Sequence, residues 1–250
     1  MKTFAIGDIH GCYKGLLQCL DRSGFDKKND TLITLGDIVD GWEDVYECVE
    51  ELLTIPNRID IIGNHDNWLT DFIKYGLHPG RWQQGGLSTL NSYCKHYEKL
   101  HNMSVGYLTK LLNTDIPETH RNFFLKQKLY HLDHNNRLYV HGGFDRKQYI
   151  DYLTATNAQD FYWNRKLWDS AQTCSEGVKL KTNDDFKEIF IGHTATNYKY
   201  KDLKPVNSGG VWNIDQGAGW SDGKLTIMNV ETKEFWQSDN TSDLYKNKNN

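Results

Sequence analysis

The fold is decided by two matching stretches of sequence, MKTFAIGDIHG (1–11) and TLITLGDIVDG (31–41). Each contains a short apolar run, typical of a buried strand, that ends at Gly-Asp. A helical pattern of apolar residues follows each one, over residues 16–20 and 45–53, and a third apolar run lies at 59–62. Strands and helices that alternate at this pace predict an α/β fold built from parallel β units with right-handed crossovers.

The remaining sequence divides into three parts. Residues 68–127 carry helical patterns broken by glycines and predict an inserted helical cap. Strand patterns return at 129–140 and 206–236, and the runs 224–230 and 233–237 predict a hairpin. After residue 238 the composition becomes Asn, Lys, Asp and Ser. We therefore predict one domain over 1–238 and a disordered tail over 239–250.

Composition and charge exclude several classes of protein. The net charge is −4 with both signs mixed along the chain, which predicts no stable binding to nucleic acid. No run approaches the roughly 18 apolar residues of a membrane span, and an Asp falls within the first ten residues, where a signal peptide is apolar. Five scattered cysteines without CxxC spacing predict free thiols in a reducing compartment. We expect a cytoplasmic protein that does not bind membranes.

Polar residues follow five of the predicted strands, at the point where each strand ends. The five motifs are GDIHG (7–11), GDIVDG (36–41), GNHD (63–66), HGG (141–143) and GHT (192–194). Any one of them alone is typical of a turn or a helix cap. Ligands of open α/β sheets bind beyond the carboxyl ends of the strands, so five such motifs on one chain predict a single site.

The set of motifs resembles the phosphoprotein-phosphatase branch of the calcineurin-like metallophosphoesterases. It is most similar to bacterial and phage-type serine/threonine phosphatases and to their relatives that hydrolyse diadenosine tetraphosphate. WNIDQGAG (212–219) and GKLTIMNV (223–230) resemble the closing segment of those bacterial proteins. The resemblance covers residues 1–237. It implies a metallophosphoesterase four-layer sandwich, in which two mixed β-sheets are flanked by helices.

The resemblance also implies a binuclear metal centre. Asp8 and His10 would bind the first metal ion and Asp37 would bridge both; the second ion would be completed by Asn64, His141 and His193. Oxygen and imidazole donors without thiolate suit Mn, Fe, Zn or similar divalent ions. We expect two Mn ions, with Fe, Zn, Co or Ni as alternatives. Two such ions about 3.5–4 Å apart lower the pKa of a shared water to near 7, which gives a metal-bridging hydroxide as nucleophile.

The remaining roles concern proton transfer and phosphate binding. His65 would protonate the leaving alkoxide and Asp40 would orient it. Asp66 would support the site without touching metal. Arg165 matches an Arg that the bacterial proteins place after HGG; we assign it, with Asn64, to the substrate phosphate.

One position departs from the family pattern. The family usually has an Arg after the second Asp of its second motif, and this chain has Gly41-Trp42 there. Either binding of monoesters is weaker, or Gly41 opens room for a bulkier ester that stacks on Trp42. On the second reading, an Arg at position 41 would favour small monoesters over diesters.

Three functions are compatible with the sequence. The first is a phosphomonoesterase of the serine/threonine protein phosphatase type, acting on a phosphorylated protein or a small phosphoester. The second is a dinucleoside polyphosphate hydrolase of the diadenosine tetraphosphate type, which needs a pocket for a base. The third is a non-catalytic phosphoprotein-binding module, and a turnover assay on the metal-loaded protein separates it from the other two.

Overall fold

Two mixed five-stranded sheets form the framework, and helices cover their outer faces. The computed structural model describes residues 1–78, 80–96, 101–103, 107–109, 111–199 and 203–245. The strands are β1 (Thr3–Ile6), β2 (Thr31–Thr34), β3 (Arg58–Asp60), β4 (His101–Met103), β5 (Tyr107–Thr109), β6 (Tyr130–Leu132), β7 (Arg137–Val140), β8 (Glu188–Ile191), β9 (Val206–Ser208), β10 (Val211–Asn213), β11 (Thr226–Asn229) and β12 (Phe235–Gln237). The α-helices are α1 (Tyr13–Arg22), α2 (Val45–Leu53), α3 (Asn64–Tyr75), α4 (Gly86–His96), α5 (Glu118–Leu125), α6 (Ile150–Thr156), α7 (Asp160–Trp163), α8 (Lys166–Ala171) and α9 (Thr241–Leu244).

Each sheet has parallel strands at its centre. The first has the order β12-β11-β1-β2-β3, with β1, β2 and β3 parallel and β11 antiparallel to β1. The second has the order β6-β7-β8-β10-β9, with β7, β8 and β10 parallel and antiparallel strands at both edges. The predicted α/β architecture of two mixed sheets flanked by helices is confirmed. The predicted hairpin near the end of the domain is β11–β12.

Alternation along the strands divides the core into layers. Ala5 of β1 packs in a cluster with Tyr139 and Phe190 of the second sheet, and these two rings stack 5.1 Å apart. Phe4 and Ile6, its neighbours in sequence, point to the opposite face and join the cluster that includes α1 and α2. Since successive side chains of a strand point to opposite faces, one apolar strand buries both sides of its sheet. This arrangement gives the helix–sheet–sheet–helix order.

The segment predicted as a helical cap, 68–127, is more varied than the sequence suggests. It contains most of α3, then α4 and α5, but also the hairpin β4–β5. Leu90 of α4 and Phe124 of α5 belong to the same apolar cluster as Val49 of α2. The segment therefore extends the main core. Within the part of the chain that the structure describes, no helix is long and apolar enough to cross a membrane.

The chain end differs from the sequence prediction of disorder from residue 239. Helix α9 lies at 241–244, the backbone N–H of Thr241 donates to the Gly223 carbonyl (3.0 Å), and the Tyr245 ring stacks on Trp42 at 4.7 Å. Lys14 donates to the Leu244 carbonyl (2.8 Å). Composition counts apolar residues over a window, whereas a single stacked ring and a few hydrogen bonds order this segment. Residues 246–250 lie outside the described residues.

Candidate metal centre

The ends of four strands bring the predicted ligands together. Loops after β1, β2, β7 and β8 carry, respectively, His10, Asp37, His141 and His193. Three of these residues have positive φ, 49° at His10, 49° at Asp37 and 64° at His193. Non-glycine residues rarely adopt this conformation, and they do so mainly where function or packing imposes it. The backbone is therefore bent at the points where these side chains turn toward one another.

Two glycines allow the carboxylates to come close to the backbone. A Cβ at Gly63 would lie 2.0 Å from Oδ1 of Asp37, and a Cβ at Gly192 would lie 2.0 Å from Oδ1 of Asp8. Any side chain at either position would displace a predicted metal ligand. The Gly in GNHD and the Gly in GHT are therefore part of the site.

The residues predicted for the second metal ion form one buried group. Ligand atoms of Asp37, His141 and His193 all lie within 4.8 Å of one another. The Nε2 atom of His141 is 3.3 Å from Oδ2 of Asp37 and 3.1 Å from Oδ1 of Asn64. The other ring nitrogen of His141, Nδ1, donates to the Leu35 carbonyl (2.7 Å), which leaves Nε2 as the ligand atom.

The residues predicted for the first ion are arranged less simply. His10, Asp37 and His65 form a second group within the same 4.8 Å limit. His10 Nδ1 donates to the Val39 carbonyl (3.0 Å), and its Nε2 is 3.7 Å from Oδ2 of Asp37. Asp8 belongs to neither group of ligand atoms; it lines the same cavity and accepts the backbone N–H of His193 at 3.0 Å. Asp37 is the one residue common to both groups, as a bridging carboxylate must be.

The charges of the site favour bound cations. Burial, followed by the nearby Asp215, raises the pKa of Asp8 well above its ordinary value. Burial, followed by His141 and Arg165, lowers the pKa of His193 to about 2, so this ring is neutral. Its Nε2 is buried and has no hydrogen-bond partner among the described residues. A divalent cation accepts such a lone pair and stabilises the ionised carboxylate, so the residues fit a metal centre.

His65 and Asp40 form a hydrogen-bonded pair beside the metal ligands. His65 Nδ1 donates to Oδ2 of Asp40 (2.7 Å), and its backbone N–H donates to Oδ1 of Asp37 (2.9 Å). Burial lowers the pKa of His65, but Asp37 and Asp40 outweigh it and raise the pKa above its ordinary value. Because Nδ1 is occupied by Asp40, Nε2 is the nitrogen that can serve a substrate.

Asp66 supports the loop that carries Asp37. Its Oδ1 accepts the backbone N–H of Ile38 (2.8 Å), and Gln127 donates to its Oδ2 (2.9 Å). Asp66 is fully buried and is in neither group of ligand atoms. The sequence interpretation of Asp66 as a support agrees with this position.

A cavity of about 500 Å³ opens onto the predicted ligands. Arg165 lies at its rim, where the guanidinium donates to the His193 carbonyl at 3.4 Å, and the side chain is exposed. The position suits contact with a phosphate that reaches the ligand groups. Asn64 also lines the cavity.

The interpretation of Gly41-Trp42 as an open pocket with a stacking face is wrong in its second half. Trp42 does not line the cavity; its ring stacks on Tyr245, and its Nε1 donates to the Ala218 carbonyl (2.7 Å). Gly41 does line the cavity, but its φ is +86° and a Cβ there would lie 2.9 Å from the His10 carbonyl oxygen. Position 41 therefore has no room for an Arg in this loop conformation.

We expect Gly41→Arg to lower thermal stability and the rate on every substrate, because strain and the contact with His10 would move a metal ligand. The cost of a strained backbone is on the order of 1–3 kcal/mol. Gly24→Arg is the matched control, since Gly24 has φ +61° and a Cβ there would have no atom within 4 Å. The Gly24→Arg control also places a side chain on a backbone with positive φ, but there the Cβ meets no neighbouring atom. If Gly41→Arg is as stable and as active as this control, the collision with His10 is refuted.

Several residues to which the sequence assigned no role in the site lie at or next to it in the structure. Asp215 is buried and lines the cavity, and it falls within the motif segment 212–219, so its acidic side chain is a usable signal. Trp220 lines the cavity with 65% of its surface exposed. Trp82 and Thr89 contact Asp40 from the inserted segment. No spacing in the sequence connects these two with the motifs.

The chain belongs to the calcineurin-like phosphoesterase family, since the model of that family matches residues 1–233. Members of this family use a binuclear divalent metal centre, and the two ligand groups described above are candidates for it. Over 67 residues the chain is 42% identical to a symmetrical bis(5'-nucleosyl)-tetraphosphatase of Buchnera aphidicola subsp. Acyrthosiphon pisum (strain Tuc7). That match covers 26% of this chain and only 24% of the relative.

Two solved structures share the fold over nearly the whole chain. One is provisionally described as a diadenosine tetraphosphatase; it is 17% identical, with a TM-score of 0.59, and the alignment covers 94% of this chain and 92% of that one. The other is a protein serine/threonine phosphatase from Saccharomyces cerevisiae, 15% identical, with a TM-score of 0.53 and coverage of 95% and 79%. At such low identity these similarities establish the fold alone.

Proposed function

We propose that the protein is a metal-dependent phosphoester hydrolase, and that it acts as a phosphomonoesterase of the serine/threonine phosphatase type. The observation that carries the proposal is that two groups of ligand atoms share Asp37, and that His65, a member of one group, is hydrogen-bonded to Asp40. Asp8, His10 and Asp37 would hold one ion; Asp37, Asn64, His141 and His193 would hold the other. When bound, two divalent ions activate water and offset the charge of phosphate oxygens. We propose Mn²⁺ for both positions, a choice that carboxylate, amide and imidazole donors allow.

The chain's own residues account for the remaining steps. Arg165 and Asn64 bind the phosphate oxygens and fix the ester in the cavity, and a charge-assisted Arg contact adds orientation as well as affinity. His65 gives the proton on Nε2 to the leaving oxygen as the ester bond breaks. Asp40 accepts a hydrogen bond from Nδ1 throughout and stabilises the protonated ring before transfer.

A dinucleoside polyphosphate hydrolase is the second candidate, and Trp220 favours it. The ring is largely exposed at the cavity, yet the backbone around it is held: its N–H donates to the Gly217 carbonyl (2.8 Å) and its carbonyl accepts from Gly223 (3.1 Å) and from the Thr241 hydroxyl. An exposed aromatic ring on a backbone that is held in this way suits stacking with a base. The partial match to a tetraphosphatase points in the same direction.

A substrate panel with Mn²⁺ tests both candidates. It compares a phosphopeptide, an aryl phosphate and diadenosine tetraphosphate on the wild type and on Trp220→Ala. Stacking on a base is worth about 1–3 kcal/mol, so the nucleotide candidate predicts a loss of roughly 5- to 150-fold in kcat/KM for diadenosine tetraphosphate only. If the protein is a phosphomonoesterase, we expect it to turn over the phosphopeptide faster than diadenosine tetraphosphate. We then expect Trp220→Ala to have little effect on phosphopeptide turnover. Tyr152→Ala, an exposed aromatic on α6 away from the cavity, is the control. No turnover of any substrate would contradict both.

A further inference from the structure

The inserted segment contacts the carboxylate that orients His65. Asp40 is completely buried, and its Oδ2 accepts a hydrogen bond from His65 Nδ1. Its other oxygen, Oδ1, accepts two hydrogen bonds from the insertion: one from the Thr89 hydroxyl on α4 (2.6 Å) and one from Nε1 of Trp82 (3.1 Å). Both of these donors belong to fully buried residues. The insertion thus holds one oxygen of the carboxylate while the other oxygen serves His65.

Thr89 also fixes the backbone of Asp40. The backbone N–H of Asp40 donates to Oγ1 of Thr89 (2.9 Å), so one hydroxyl both accepts from the main chain and donates to the side chain of the same residue. Gly85, which lies between Trp82 and Thr89 in the sequence, has φ +105°, and a Cβ there would lie 3.0 Å from Cβ of Asp40. The turn before α4 therefore lies directly against Asp40 and requires a glycine to do so.

The hydrogen bonds determine which way the carboxylate faces. A buried carboxylate costs free energy unless its oxygens have donors, and an oxygen left without one favours rotation toward another partner. With Oδ1 held by Thr89 and Trp82, Oδ2 is the oxygen directed at His65. The ring is then kept with Nδ1 protonated toward Asp40 and Nε2 toward the cavity.

We propose that Thr89 and Trp82 are positioning residues for proton transfer. Their hydrogen bonds hold the Asp40 carboxylate in place, and the carboxylate in turn orients the ring of His65, the general acid. This inference rests on the proposed hydrolase function. It assigns residues 80–89 a role in the reaction that acts through Asp40 and involves no contact with metal or substrate. The effect should therefore depend on how much a substrate needs its leaving group protonated.

Thr89→Val tests the proposal, because it removes the hydroxyl and keeps the shape. With Mn²⁺ we expect kcat on an alkyl phosphate, a poor leaving group, to fall by roughly 10- to 100-fold, the scale of a small misplacement of a reacting group. On an activated aryl phosphate kcat should fall much less, and KM and metal content should stay unchanged. Thr89→Ser should restore the alkyl phosphate rate, and Trp82→Phe should show the same selectivity as Thr89→Val.

Thr70→Val is the matched control. Thr70 is also buried, on α3, and its hydroxyl has no hydrogen-bond partner among the described residues. Its replacement should leave the ratio of the alkyl to the aryl rate unchanged. Equal losses on the two substrates in Thr89→Val, with no rescue by Ser, would mean that Thr89 has only a structural role, and the proposal would be overturned.

A second measurement separates failure of this inference from failure of the proposed function. In the zinc-loaded protein, which is diamagnetic, the Nδ1 proton of His65 should give a downfield proton NMR signal that is absent in His65→Asn. We expect Thr89→Val to shift or broaden this signal and Thr70→Val to leave it in place. An unchanged signal in Thr89→Val overturns the inference even if the enzyme is active. If Thr89→Val changes the signal but the wild-type protein turns over no phosphoester, the contact between Thr89 and Asp40 is supported and the proposed hydrolase function is rejected.

Discussion

Replacing Asp37 by Asn is expected to abolish turnover and to lower the metal content of the protein, while the fold survives. Asp37 is shared by both groups of ligand atoms, and its Oδ2 lies 3.3 Å from Nε2 of His141 and 3.7 Å from Nε2 of His10. A neutral amide carries no negative charge, and it turns an NH₂ donor toward one side of the site where the carboxylate offers an acceptor, so it should hold two cations poorly. With its oxygen in the place of Oδ1, the amide can still accept the His65 backbone N–H, a bond of 2.9 Å in the native site. Local structure should therefore persist.

The measurement is metal content by mass spectrometry together with kcat in Mn²⁺ and a thermal melt. Asp133→Asn is the matched control, since Asp133 accepts backbone N–H groups from Asn135 and Arg137 in the turn before β7, away from the cavity. It should keep two ions and a near-native rate. A variant at position 37 that retains both ions and turnover would refute the shared carboxylate.

Strand ends are predictable from the sequence because their physics is local. An apolar run that stops at Gly-Asp, Gly-His or His-Gly defines where a parallel strand ends, and such ends meet at one edge of a sheet. Asp37, His141 and His193 follow this rule, and they converge within 4.8 Å. Asp8 also lines the cavity, but it accepts from the His193 backbone and belongs to neither group of ligand atoms. Which carboxylate lies nearest to which ring depends on side-chain geometry that no spacing encodes.

Contacts between distant segments are not predictable in this way. Thr89 is 49 residues from Asp40 and lies in a helix whose apolar pattern says nothing about its polar face. The same limit applies to Trp42, which the sequence suggests as a stacking face for substrate and which is instead covered by Tyr245. Tyr245 belongs to a segment whose composition predicts disorder. Both errors have one cause: a single long-range aromatic contact outweighs the average character of its surroundings.

The expectation that an Arg could be placed at position 41 fails for a different reason. In the sequence, a glycine in place of a family Arg suggests the loss of a side chain from an unchanged backbone. The φ of +86° shows that the backbone itself follows a path on which a side chain would meet His10. Loss of a side chain and a change of backbone path look the same in sequence, and only the dihedral angle separates them.

Replacing His65 by Asn is expected to lower kcat on an alkyl phosphate by about 10²–10⁴-fold, the usual contribution of a general acid. The pair with Asp40 at 2.7 Å leaves Nε2 as the proton donor, and Asn has no proton of comparable acidity to give. An activated aryl phosphate should lose much less, because its leaving group departs as a stable anion. kcat for both esters, measured in Mn²⁺ on the same preparation, checks the prediction.

Metal content distinguishes this role from direct ligation, because the possible ligand atoms of His65, His10 and Asp37 lie within 4.8 Å of one another. If His65 is the acid, the Asn variant keeps two ions and its loss of rate depends on the leaving group. If His65 is instead a ligand, the variant loses an ion and both esters slow to the same degree. His96→Asn is the control, since His96 pairs with Glu47 at 2.9 Å on α4 outside the cavity and its replacement should alter neither the ratio of rates nor the metal content.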